Sequence, residues 1–215
     1  HGVASLSKKH QLPVYISRET LHHGKLAIRE DRIFTLTSDV SFLLGNISVR
    51  AFPKFHDASD PYSFMVSSPT VNVGIFTDIG RPCENVIRHF SQCHAAFLES
   101  NYDEDMLENG GYPQALKNRI RGGSGHLSNR QALELFMDHR PAFMSHLFLS
   151  HLSRNNNKPK IVKDLFSRVA GRTKIIIASR EKETELYHIR STSSSRQVIN
   201  RSKVLISQQQ LSLFH

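Results

Sequence analysis

The sequence predicts an α/β (α+β) fold built on one main buried sheet, and three observations predict it. The first is the stretch VNVGIFTDIG at residues 71–80, an alternating apolar run that stops at Thr77-Asp78 and a glycine turn. That is the pattern of a buried strand whose last side chain projects from the sheet edge, a rigid place to mount chemistry. The second is the alternation of short apolar runs at 95–99, 142–149 and 174–179 with helix-like stretches at 84–92, 130–137 and 159–169. The third is size: 215 residues with 39% hydrophobic content suffice for one good core and are most simply one domain.

Taken in order, residues 2–10 read as a helix with Val3, Leu6 and His10 on one face, followed by a proline-entered strand at 12–16. His22-His23 read as surface histidines, because adjacent side chains point in different directions and rarely chelate one ion. Short strands follow at 33–36 and 43–49, and the alternation runs on through 51–55, where Pro53 argues for an edge or terminal position. A strand at 62–66 turns at Ser67-Ser68-Pro69 into the 71–80 strand, so antiparallel neighbours deliver His56 and Asp78 to one edge. Beyond the helix at 84–92 come a strand ending at Glu99, a loop at 106–113, a helix at 114–121 and a glycine-rich turn at 122–125. That turn runs into the next helix with Ser128 or Asn129 as N-cap. A helix at 159–169 and strands at 174–179 and 186–189 close the domain, residues 1–190.

The formal charge of +9 and sequence pI near 9.8 favour a polyanionic partner. Part of the excess crowds behind His151, at Arg154, Lys158, Lys160, Lys163, Arg168, Arg172 and Lys174, and reads as a phosphate-tracking rim. Cys83 and Cys93 form neither a disulfide framework nor a metal clip and read as reduced packing residues. No apolar run is long enough to span a membrane and no signal peptide is evident, so the expected location is cytoplasmic.

Three candidate ligands each follow an apolar run: His56, Asp78 and His151. Such a set suits a divalent metal. Around them F-H-D-A-x-x-P, T-D-I-G, E-S-N-Y-D-E-D-M-L, Y-P-x-x-L-K-x-R-I, G-H-L-S-N and H-L-S-R-N-N-N occur in that order. The series resembles the metallo-β-lactamase-fold hydrolases, specifically the YycJ/WalJ exonuclease-like branch, with tRNA-maturation RNase Z more distant. It covers residues 2–189.

The resemblance implies an αββα metallo-β-lactamase sandwich lacking its N-terminal strands, since the family's main ligand motif, H-x-H-x-D-H, is not in this sequence and would lie just before His1. It implies a two-metal phosphodiesterase, Zn or Mn, most simply a DNA exonuclease in replication-linked repair. Two ions about 3.5–4 Å apart would activate a water and clamp the phosphate. Asp78 would bridge the ions, with His56 and His151 each holding one. His126, with the N–H groups of its loop, would meet the phosphate, and Ser128, Asn129, Ser153, Asn155 and Asn156 would line the substrate path. Asp57, Asn101 and Asp103 would brace the ligands. An RNA-processing nuclease or small-molecule hydrolase of the same fold is one alternative. A non-enzymatic, clamp-associated DNA-binding module is the other, should the chain be complete as given.

Residues 191–215 are Ser- and Gln-rich and read as an unfolded extension. They end in Gln210-Leu211-Ser212-Leu213-Phe214, which resembles the Q-L-[SD]-L-F pentapeptide that docks bacterial replication and repair proteins on the DNA sliding clamp. Gln210 would satisfy a polar pocket while Leu211, Leu213 and Phe214 anchor in apolar ones. A peptide spanning residues 207–215 is therefore expected to bind a bacterial sliding clamp alone. Replacing both Leu211 and Phe214 by Ala removes about 1.5–3 kcal/mol of burial per side chain and should abolish binding. Calorimetry in which the double variant bound as tightly as the parent would end the docking expectation.

Overall fold

The structure, a computed structural model, describes residues 2–191. The docking pentapeptide lies outside them. After α1 (Gly2–His10), β1 (Val14–Ile16), α2 (Arg18–Gly24) and β2 (Ile33–Thr35), the chain builds one seven-stranded sheet from β3 (Ser41–Leu44), β4 (Ile47–Pro53), β5 (Tyr62–Ser67), β6 (Asn72–Phe76), β7 (Ala95–Glu99), β8 (His146–Ser150) and β9 (Lys174–Ile177). Spatial order equals chain order. Strands β3 to β6 pair antiparallel and β6 to β9 pair parallel. The parallel crossovers carry α3 (Glu84–Phe90), then α4 (Glu104–Asn109), α5 (Gln114–Arg121) and α6 (Asn129–His139), then α7 (Pro159–Ser167).

Strand alternation decides which residues meet which layer. Phe52, Met65, Phe76, Leu98, Leu147 and Leu149 face a helical layer made by Val86 and Phe90 of α3, Ala132, Leu135 and Phe136 of α6, and Val162 and Phe166 of α7. Ala95, Phe148 and Ile176 face the other way, against Val73, Phe97, Tyr187 and Ile189. At the β3 edge Tyr15 stacks on Phe42 at 4.0 Å, joining the two-stranded β1-β2 sheet to the large one. Among the described residues the only other sheet is this two-stranded one, so the expected sandwich is represented here by one full sheet.

Some elements differ from the sequence reading. The run taken as a strand at 43–49 is a hairpin, because Gly45 adopts φ +60 and reverses the chain between β3 and β4. The expected loop at 106–113 overlaps the end of α4, which Asp103 caps by accepting a hydrogen bond from the Met106 N–H at 3.0 Å. Residues 186–189 pair with no strand; Tyr187 and Ile189 instead lay side chains on the sheet face. The helix α2 went unread. Cys93 is buried with its thiol pushed up by burial, and Cys83 is half-buried; both are free. Among the described residues no helix is long and apolar enough to cross a membrane.

One core residue makes stability depend on pH. His89 lies against the Phe52 ring at 4.0 Å, and burial, helped by the Arg88 charge and opposed by Asp39, pushes its imidazole down to about 4. The unfolded chain therefore binds the His89 proton from about pH 6.5 downward while the folded chain refuses it. Stability is expected to fall as pH drops from 6.5 toward 4, with His89 contributing up to roughly 3 kcal/mol of that change. Denaturant melts across this window check it, and His89→Leu should remove that share of the slope.

Candidate metal centre

The site forms at the carboxyl ends of neighbouring strands, where open α/β sheets place their ligands. Because β4 runs in the same direction as β6, β7 and β8, His56 after β4, Asp78 after β6, Glu99 at the end of β7 and His151 after β8 all reach one edge. His126 arrives from the turn before α6. That turn is held against the Asp78 turn through backbone: a Cβ at Gly80 would collide with the Gly123 carbonyl oxygen, and one at Gly125 with the Ile120 carbonyl oxygen. Only glycine permits this approach.

Asp78 Oδ1 stands 3.5 Å from His151 Nε2 and 3.8 Å from His56 Nε2. Behind the histidines lies Glu99, fully buried, with Oε1 accepting from His126 Nδ1 at 2.7 Å and from His151 Nδ1 at 2.6 Å, and Oε2 accepting from the Ile79 N–H at 2.6 Å. His56 Nδ1 lies 2.9 Å from the Gly125 carbonyl oxygen. A carbonyl and a carboxylate can only accept, so each of the three imidazoles carries its proton on Nδ1 and presents the Nε2 lone pair outward. Asp78, Glu99, His126 and His151 each offer an oxygen or nitrogen within 4.8 Å of the others. The three rings pack at a tilt, with centroids 5.2 Å apart for His56 and His126 and 5.3 Å for His126 and His151.

The electrostatics follow from this geometry. Burial pushes the Glu99 carboxyl up, but the hydrogen bonds from His126 and His151, with the Ile79 N–H, outweigh it and hold the group below the usual carboxylate range. The His151 imidazole is raised, first by its hydrogen bond to Glu99 and against the effect of burial. Lys54, whose Nζ donates to the Thr77 carbonyl at 2.5 Å, is pushed down by burial, with Asp78 and Glu99 opposing. Both Asp78 (φ +54) and His151 (φ +56) sit in the left-handed region, a strain of about 1–3 kcal/mol each that concentrates at functional sites. Asn101 secures the second of these, donating Nδ2–H to the His151 carbonyl at 2.8 Å. Imidazole Nε2 atoms ringed about a carboxylate are a fitting donor set for a divalent ion, and this is the group the site suits.

No family model matches the chain. Exodeoxyribonuclease YycJ of Bacillus anthracis is 30% identical over 173 residues, which are 78% of this chain and 65% of that protein. Exodeoxyribonuclease WalJ of Streptococcus pneumoniae is 27% identical over 164 residues, 73% of this chain and 60% of its own length. The chain thus spans less than two thirds of these relatives. Among solved structures, the metallo-β-lactamase fold protein YhfI from Bacillus subtilis superposes with a TM-score of 0.60 at 14% identity, over 78% of this chain and 62% of that one. Zinc-bound PqqB from Methylobacterium extorquens gives 0.57 at 16%, over 80% and 65%. This chain has the metallo-β-lactamase fold. Its sequence is similar to the YycJ/WalJ branch.

Within that fold several residues expected on the substrate path do other work. Ser128 is fully buried as the N-cap of α6, in a reciprocal capping box with Gln131. Asn129 and Asn157 interlock in the interior: the Ser100 hydroxyl donates to Asn129 Oδ1 at 2.6 Å, and Asn157 Nδ2 donates to the Ser100 and Asn101 carbonyls. Asn156 is buried too, and its carbonyl accepts from the Asp103 N–H. None of these three is open to a substrate. Ser153 and Asn155 keep some exposure, though Asn155 Nδ2 donates to the Tyr112 hydroxyl. The N–H groups of Gly125, His126 and Asn129 are spent on the Gly122, Ile120 and Tyr102 carbonyls, and that of Ser128 on Gln131, so these four are not free to meet a phosphate. Asp103 caps α4 rather than bracing the ligands. Asp57 takes the Arg119 Nε–H at 2.5 Å, which holds its carboxyl low, and leaves Oδ1 3.5 Å from His56 Nε2. Glu99 itself was missed, although it ends an apolar strand just as Asp78 follows one.

Proposed function

We propose that this chain contributes the catalytic edge of a metal-dependent phosphodiesterase acting on DNA, most simply as an exonuclease. The observation that carries it is the set of imidazoles on His56, His126 and His151 turned Nε2-outward around Asp78 by buried oxygen acceptors. The names of the similar YycJ and WalJ proteins, both exodeoxyribonucleases, favour DNA over other phosphodiesters. The exposed cations that follow His151, among them Arg154, Lys158, Lys163, Arg168 and Arg172, suit a polyanionic phosphate backbone of either nucleic acid.

Asp78, His56 and His151 would hold divalent ions, Zn or Mn, two of them if the family's upstream ligands complete the set. Bound metal supplies Lewis-acid polarisation of the phosphodiester and a water that ionises near neutral pH. His126 would act in its doubly protonated form, offering the Nε2 proton to the leaving oxygen, while Glu99 at Nδ1 keeps the ring in place and stabilises its charge. Docking on a sliding clamp through Gln210, Leu211, Leu213 and Phe214 would bring the enzyme to replicating DNA, which is the replication-linked repair reading.

His126→Ala tests the division of labour. Expected is a fall in DNA cleavage of about 10²-fold or more with metal content retained, the scale of a lost general acid. A nuclease assay run beside metal analysis decides. Loss of metal in proportion to activity would show that His126 is a ligand instead.

A further inference from the structure

We propose that the cleft beside His56 seats an unpaired nucleobase stacked on Phe55, next to the phosphate that the metal centre engages. This deepens the nuclease reading and rests on it.

After β4 ends at Pro53, Lys54 reaches the Thr77 carbonyl next to Asp78 and His56 reaches Asp78 itself, with Phe55 between them in the chain. The Phe55 carbonyl accepts the Gly80 N–H at 2.7 Å, which ties its backbone to the turn after Asp78. Yet Phe55 is 42% exposed, the one aromatic among the large apolar residues that stay exposed in the described part of the chain. The Arg81 guanidinium lies 4.0 Å from its centroid. The ring also lines an open cleft of about 430 Å³ shared with Pro53, Lys54, Cys83, Glu84 and Asn85.

An aromatic ring with a cation on it, opening onto a largely apolar cleft beside a phosphodiesterase centre, suits a planar partner with a neighbouring negative charge. A base of a single strand meets both requirements: its ring stacks on Phe55, and its phosphates meet Arg81 and the metal centre. Glu84 lines the same cleft and offers a carboxylate oxygen to a base edge, whereas the Asn85 amide is engaged by the Pro53 carbonyl and Arg88. Stacking of this kind tolerates every base, so the cleft would fix register without reading sequence. It also selects frayed or single-stranded ends over a closed duplex, because a paired base cannot enter.

The chain contains no tryptophan, so Phe55→Trp introduces a single reporter. In EDTA, where nothing is cleaved, a single-stranded oligonucleotide should quench that fluorescence, whereas an abasic strand of equal length and charge should bind with little quenching. Phe55→Leu should weaken binding of the normal strand roughly tenfold by fluorescence anisotropy and leave the abasic strand unchanged. Equal quenching by both strands, or unchanged affinity in Phe55→Leu, overturns the base cleft alone. Quenching by an apolar peptide but by neither strand would assign the cleft to a protein partner. Absence of binding by either strand to the parent chain would overturn the cleft, whereas absence of DNA cleavage by the metal-loaded full-length protein would overturn the nuclease reading on which it rests.

Discussion

A fully buried carboxylate is the constraint on which the site depends. Glu99 has no water to solvate it, and an ionised group in that position survives only if donors replace the lost hydration. Three do: two imidazole N–H groups and the Ile79 amide. The need is mutual. Breaking such an arrangement by removing one partner costs about 3–5 kcal/mol, so the rotamers of His126 and His151 are held by the same free energy that keeps Glu99 tolerable in the core. What emerges at the surface is a pair of Nε2 atoms in fixed positions.

The sheet delivers the rest. Four strands running one way end within reach of each other, and the residues that follow them inherit that proximity without long loops. Left-handed backbone at Asp78 and His151 turns both side chains back toward the centre, and the strain is borne by neighbouring contacts such as the Asn101 amide on the His151 carbonyl. Beneath it, Ser100, Asn129 and Asn157 tie the ends of β7, α6 and the His151 loop into one hydrogen-bonded unit. Polar residues that look available for substrate are the fasteners of the scaffold.

The sequence made Asp78, His56 and His151 legible because each follows an apolar run whose length and alternation fit a strand, and because the surrounding motifs are specific. Glu99 was not, since nothing in A-A-F-L-E separates a buried acid that orients histidines from one that ends a strand. Ser128 and Asn129 were misassigned for the opposite reason: a Gly-rich turn followed by Ser-Asn looks like an anion site, and only tertiary partners far along the chain, Glu104 and Asn157, show where those side chains go. The β3-β4 hairpin went unread although its two-residue loop, Gly45-Asn46, is a hairpin dipeptide between the apolar pairs Leu43 and Leu44, and Ile47 and Val49. Helix α4 escaped because its six residues are too few to show a period.

Metal affinity of Glu99→Gln measures the central claim most directly. The substitution keeps the shape of the side chain but sets an amide N–H₂ where one carboxylate oxygen accepted, so Glu99 can no longer serve His126, His151 and Ile79 together. Calorimetric titration with zinc, beside a thermal melt that confirms a folded chain, should show affinity weakened about 10–100-fold, the usual effect of losing a group that orients ligand histidines. Unchanged affinity in a folded Glu99→Gln protein would contradict the account.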